Sequence, residues 1–268
     1  MSHHVLLLGG HGKIAMYLTP LLLRRSWTVT SVIRNPDHQA EIESLAKGQP
    51  GKLNVLVRSI DEVTSEAKAR EVLDEVNPDY VAWSAGAGGK GGAERTFQVD
   101  RDAAIHYINA SASHPNVTRF LLVSYLGSRR GPAPWWPDSS AWEKLDKEVN
   151  HGSLANYYQA KIVADEALYR KSREVSKGGK KEFVGICLRP GTLTEENGGG
   201  VEIGKTTNVK GNIGREKVAK VADALLAANG VKNSWVDVYE GDEDIQKGVS
   251  RVVSEGLDAA EGEPVAKE

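Results

Sequence analysis

At 268 residues the chain suits one large α/β domain or two small ones. With 40% hydrophobic and 26% charged residues and a net charge of −2, it can bury a core, and it lacks the basic surplus that would draw it to nucleic acid or an anionic membrane. A single cysteine, Cys187, excludes an internal disulfide and a multi-cysteine zinc site, and no apolar run is long enough to span a bilayer.

The opening Met1-Ser2-His3-His4 has no basic stretch and no cleavage site, so the cytoplasm is the expected compartment, with the nucleus left open. Residues 5–8 are wholly apolar, the pattern of a strand buried on both faces. Glycines follow at 9, 10 and 12, and Ile14, Leu18, Leu21 and Leu22 then recur at helical spacing. Residues 29–33 read as a second strand, 53–57 as a third, 67–76 as a helix and 80–84 as a fourth strand. A glycine-rich loop at 86–92 leads to a long helix at 96–112, a fifth strand at 119–124 and a second long helix at 154–173. A sixth strand at 183–188 closes on Arg189-Pro190-Gly191, and a helix at 217–228 and a seventh strand at 235–239 follow. Strands alternating with helices predict one α/β domain over 1–253. Its fold is a Rossmann-type, doubly wound parallel sheet of six to seven strands with helices on both faces. Residues 176–181 (SKGGKK) read as a solvated turn, and 254–268, rich in Glu, Ala and Gly, as a disordered tail. The seven histidines show no metal-ligand spacing, and no metal site is expected.

The segment Gly9-Gly10-His11-Gly12-Lys13-Ile14-Ala15 carries the strongest local signal. A strand must turn sharply into a helix whose first amides meet a pyrophosphate. Gly9 permits the turn, Gly12 lets the backbone approach the phosphates, and Ala15 keeps helix and strand close. Between a buried strand and an amphipathic helix, the motif points to a dinucleotide held by Gly9, Gly10, His11, Gly12, Lys13 and Ile14. An ordinary tight turn is the alternative. At the end of strand two, Arg34 stands where an NAD site usually has an acid. A guanidinium there can form a forked pair with a 2′-phosphate, which favours NADP(H) over NAD(H). By topology, Ser59 and Ile60 flank the adenine, and Ser84, Ala85 and Gly86 let the backbone pass close to a ribose.

Tyr157 and Lys161 are four residues apart, one turn along a helix face. A nearby ammonium favours the phenolate, which predicts proton exchange at Tyr157 near neutral pH. Ser124 closes strand five and points at the same crevice, in reach of a substrate carbonyl or hydroxyl.

In their order, the GGHGKIA loop, Arg34, Ser124, the YYQAK segment and the LRPG turn resemble the short-chain dehydrogenase/reductase superfamily over roughly residues 4–250. The glycine spacing and the Arg189-Pro190-Gly191 turn are similar to its atypical branch, with members described as NAD(P)-binding or epimerase/dehydratase-like. The resemblance implies a Ser124–Tyr157–Lys161 site. The tyrosine is then the acid/base, the lysine holds the ribose and lowers the tyrosine pKa, and the serine orients substrate. Asp100 takes the place of the superfamily's usual active-site asparagine and is counted among the catalytic residues, although an aspartate donates only when protonated. The acid that often contacts adenine is missing, with Ser59 near its place. The gap between Ser124 and Tyr157 is long and holds the segment 131–137, with Trp135 and Trp136, read as a substrate lid, a packed surface loop or a protein-partner contact. The expected function is an NADP(H)-dependent oxidoreductase acting on a small carbonyl or alcohol. Epimerase or dehydratase chemistry is a variant, and a non-catalytic NADP sensor or scaffold is the alternative.

Overall fold

The computed structural model describes residues 2–88, 91–179, 181–196 and 198–268. Strand β1 (His4–Leu8) is apolar after its histidine because both of its faces are covered. Side chains alternate along it. Val5 and Leu7 enter a core shared with helix α1 (Lys13–Arg24), while Leu6 and Leu8 enter a second core on the other side of the sheet. β2 (Thr28–Ile33), α2 (Gln39–Ser44), β3 (Lys52–Val57), α3 (Glu66–Val76) and β4 (Tyr80–Trp83) follow. Helix α4 (Gly92–Thr96) runs through a π-helical stretch (Phe97–Ala103) into α5 (Ala104–Ser113). β5 (Arg119–Val123) leads to α6 (Ser140–Leu145), a second π-helical stretch (Asp146–Ser153) and α7 (Ala155–Gly178). The remainder is β6 (Val184–Pro190), β7 (Thr192–Thr194), β8 (Gly200–Gly204), β9 (Asn212–Gly214), α8 (Arg215–Ala227), β10 (Ser234–Gly241), α9 (Ile245–Glu255) and a short 3-10 turn (Pro264–Lys267).

The main sheet has eight strands in the order β3-β2-β1-β4-β5-β6-β10-β8, all parallel except for β8 against β10. Helices α1 and α8 cover one face, and α3, α5 and α7 the other. The strand order reverses between β1 and β4, which opens a crevice at their carboxyl ends. The sheet therefore has more than the six to seven strands expected, and a separate β7–β9 ladder adds to it. The reason is local. β8 is two glycines around Val201, Glu202 and Ile203, too short to show a period, and it becomes a strand only by pairing with β10.

Two boundaries move as well. Helix formation begins at Gly92, within the stretch expected to be loop; residues 89 and 90 of that loop lie outside the described residues. Helix α7 runs on to Gly178, into the expected basic turn, and stops at Gly179 with a φ of +63°; residue 180 is also outside the description.

The segment 254–268, expected as a disordered tail, packs onto the domain. Asp258 Oδ1 accepts from the amides of Trp235 and Ala260, both at 2.9 Å, and Oδ2 accepts from the Tyr169 hydroxyl at 2.6 Å. Arg129 donates to the Ala259 carbonyl at 2.7 Å, and Arg170 holds Glu268 at 2.5 and 2.9 Å. Ala259, Ala260 and Val265 are buried. Composition misleads here because a few small apolar residues, Asp258 and two glutamates, Glu263 and Glu268, do the anchoring, with partners distant in sequence. Replacing Asp258 by Ala strands two amides and a phenol, and is expected to cost about 2–4 kcal/mol in urea unfolding. Changing the exposed Lys267 to Ala should stay within about 0.5 kcal/mol.

Candidate active site

A cleft of about 360 Å³ lies at the carboxyl ends of β1, β2, β3 and β4. Its base is backbone. Gly9 has a φ of +84°, and a Cβ there would stand 2.6 Å from the Ala85 Cα. Only glycine lets the loops after β1 and β4 meet so closely. The amides of Gly10 and Gly12 are committed to the carbonyls of Val32 and Gly9, each at 2.8 Å. Gly12 is the N-cap of α1, which has neither a side-chain cap nor an acid in its first turn. Helix geometry therefore leaves the amides of Lys13, Ile14 and Ala15 without backbone acceptors, at the positive end of the helix dipole. Such an end is complementary to an anion.

The outer wall is cationic. Arg34, Arg58 and Arg95 line it with one carboxylate, Asp61. Asp61 pairs with Arg95 at 3.0 Å and more loosely with Arg34 at 3.5 Å, while Arg58 pairs with Glu75 at 2.9 Å. The Arg34 side chain is 58% exposed, so its guanidinium is the least engaged of the three. His11 stacks on His38 with ring centroids 3.6 Å apart, and its Nε2 meets Glu41 at 2.9 Å.

Deeper in, Asp100 ties the π-helical stretch after α4 to the loop after β4. It is 1% exposed, and its Oδ2 accepts from the Ala87 amide at 2.9 Å. Burial pushes its carboxyl up from the ordinary value, opposed by the charge of Lys161 and by the Ala87 N–H. Lys161 is 1% exposed, and its Nζ donates to the Val123 carbonyl at 2.8 Å. Tyr157 is partly buried, with its ring 5.2 Å from that of Tyr125. The Tyr125 hydroxyl donates to Asn150 Oδ1 at 2.8 Å. Burial, and then the charges of Asp100 and Asp165, push the Tyr157 phenol well above the usual phenol range. The resemblance implied a lowered value. Here the shift runs the other way, with burial as its main cause and the two carboxylates adding to it, while the Lys161 ammonium is turned to a backbone carbonyl.

Of the expected residues, Gly9, His11, Gly12, Arg34, Ile60, Ser84, Ala85 and Gly86 line the cleft. Gly10 lies beneath it, where a Cβ would collide with Ser31 Oγ at 1.8 Å. The Lys13 side chain turns away to Glu195 at 2.6 Å, Ile14 points into the core, and Ser59 is not among the lining residues. Instead of Ser59, the acid Asp61 two residues on reaches the cleft. Ser124 is buried against Asp165 rather than facing the crevice. The segment 131–137 is packed: both Trp135 and Trp136 donate their indole N–H to the Thr206 carbonyl, at 2.8 and 2.7 Å, and the Arg129 guanidinium lies over both rings. Sequence reading passed over Arg58, which follows strand three much as Arg34 follows strand two, so a signal existed. Arg95 and His38 had none, since a helix after a glycine loop and a 3-10 turn bring them in.

Residues 9–229 match the model of a family described as NAD(P)H-binding. The chain belongs to this NAD(P)H-binding family. Its curated relatives include the UPF0659 protein C216.03 of Schizosaccharomyces pombe, 31% identical over 92% of this chain and 94% of that protein. They also include the uncharacterized sugar epimerase YhfK of Bacillus subtilis, 27% identical over 92% of this chain and 99% of that protein. Among solved structures, the oxidoreductase ylbE from Lactococcus lactis shares the fold with a TM-score of 0.68 at 19% identity, over 94% of this chain and 97% of that one.

The cleft of this NAD(P)H-binding chain fits a dinucleotide: glycines pave its base, the uncapped N-terminus of α1 begins at Gly12 on its lining, and guanidiniums flank its outer end. Substituting Gly9 by Ala puts a Cβ into Ala85 and strains a left-handed backbone. It is expected to weaken NADPH binding at least about tenfold and to lower stability by about 1–3 kcal/mol, read by fluorescence titration and urea unfolding.

Proposed function

We propose that this protein is an NADP(H)-dependent oxidoreductase that acts on a small carbonyl or alcohol, with reduction of the carbonyl as its favoured direction. The observation that carries the reading is an anion-receptive cleft at the carboxyl ends of β1 to β4, supported by the Tyr157 and Lys161 pair one turn apart on α7. Arg34, with Arg58 and Arg95 beside it, gives the cleft the charge that a 2′-phosphate requires, and no acid ends β2 to prefer a bare ribose. The amides of Lys13, Ile14 and Ala15 hold the pyrophosphate. Bound NADPH supplies a hydride. Tyr157 donates its phenolic proton to the oxygen of the carbonyl as charge develops there, and Lys161 stands one turn away on the same helix face. Asp100 fixes at Ala87 the loop that would border the cofactor.

The phenol raised by burial and by two carboxylates sets the pH sign. Reduction needs the protonated form, which is present below the raised pKa, so the rate should not decline between pH 6 and 9 through loss of that proton. Titration of Trp fluorescence should show NADPH binding at least about tenfold more tightly than NADH, and Arg34→Ala should remove most of that difference. Equal affinities in the wild type would reject the 2′-phosphate assignment. Tyr157→Phe should lower carbonyl reduction by about 10²–10⁴-fold while NADPH still binds. Unaltered turnover in that variant would remove Tyr157 as the acid.

A further inference from the structure

The strand-five serine does not face the crevice. Ser124 Oγ donates to Asp165 Oδ2 at 2.6 Å, and the two residues are 5% and 0% exposed. Asp165 comes one turn after Lys161 and two after Tyr157 on α7, so the three side chains follow one line along the helix. Lys161 in turn donates to the carbonyl of Val123, the residue just before Ser124. Two consecutive residues at the end of β5 therefore fasten two consecutive turns of α7, Val123 through Lys161 and Ser124 through Asp165. On its other side Asp165 is faced by two buried groups of β6, the Cys187 thiol and the Arg189 guanidinium. Were Ser124 to swing toward a substrate, a buried carboxylate would lose that donor, which is costly in an interior of low dielectric. The residue after β5 that meets Tyr157 is the next one, Tyr125, whose hydroxyl is held by Asn150.

We propose that Asp165 is a positioning residue of this site: it withholds the Ser124 hydroxyl from substrate and sets the height at which α7 presents Tyr157 to the cleft. This rests on Tyr157 being the acid of the reaction. Its charge acts on the phenol too, since Asp165 stands with Asp100 among the groups that favour the protonated form. A serine that oriented substrate would control KM, whereas a serine that acts through Asp165 controls kcat and its pH profile.

The test is NADPH-dependent reduction of 9,10-phenanthrenequinone from pH 6 to 10 in the full chain, comparing wild type, Ser124→Ala, Asp165→Asn and the double variant. Asn keeps an acceptor for Ser124 and removes the charge. Ser124→Ala is expected to lower kcat about tenfold with KM within about twofold. Asp165→Asn, which leaves burial and Asp100 in place, should move the basic limb toward lower pH than in the wild type. The double variant should be no slower than the slower single variant. A Ser124→Ala variant with raised KM and unchanged kcat, beside an Asp165→Asn variant with the wild-type profile, would overturn the proposal. If the wild type binds NADPH and leaves the quinone untouched, the oxidoreductase reading fails by itself on this probe. Amide hydrogen exchange over 157–165 then decides the positioning claim: faster exchange in Ser124→Ala that Ser124→Thr restores supports it, and exchange equal to the wild type in Ser124→Ala contradicts it.

Discussion

Where β1 ends, the backbones of Gly9 and Ala85 come so close that no side chain fits between them, and α1 starts immediately beyond with no side chain capping its first amides. That contact places the positive end of one helix at the point where the strand order reverses. Everything else in the cleft is arranged around it. The loops after β2 and β3 bring Arg34, Arg58 and Asp61 to its outer end, and the loop after β4, pinned by Asp100 at Ala87, forms its inner margin. The sheet supplies rigidity. Its central strands β1, β4, β5 and β6 are covered on both faces, so the loop ends can be positioned without exposing strand edges in the middle of the domain.

The second half of the molecule is held differently, through buried charge. Arg129, Arg189, Asp237 and Glu263 are all at most 2% exposed and join the loop after β5, β6, β10 and the C-terminal segment. Burial pushes Asp237 up to about 6 against the pull of Arg189 and Arg129, and pushes Arg129 down to about 10. Removing one member of such a group leaves its partner charged and uncompensated, which is why these residues tie distant segments together more firmly than their number suggests. Arg129 also stacks on Trp135 and Trp136, so the tryptophan segment, the C-terminal segment and the sheet share one anchor.

Much of this was legible in the sequence. The apolar run at 5–8, the glycine spacing and the alternation of strands and helices point to the fold and the cleft because they are local patterns with one geometric outcome. Arg34 could be read because it ends a strand. What escaped reading depends on contacts between distant residues. β8 exists through β10, the C-terminal segment is ordered by Tyr169 and Trp235, and Ser124 is diverted by Asp165, 41 residues away. The Tyr-Lys spacing was visible, but the electrostatics were not. A motif places an ammonium beside a phenol, and only the packed structure shows two carboxylates nearby and the ammonium bonded to Val123.

The central claim is that the uncovered amides at the start of α1 grip the linked phosphates of a nicotinamide nucleotide. A titration of isotopically labelled protein with NADPH, followed by amide nitrogen–proton spectra, reads those groups individually. The account requires the resonances of Lys13, Ile14 and Ala15 to shift most, in a saturable way, while those of Gly10 and Gly12, already bonded within the turn, move less. Shifts confined to other parts of the chain, or none at millimolar nucleotide, would contradict it.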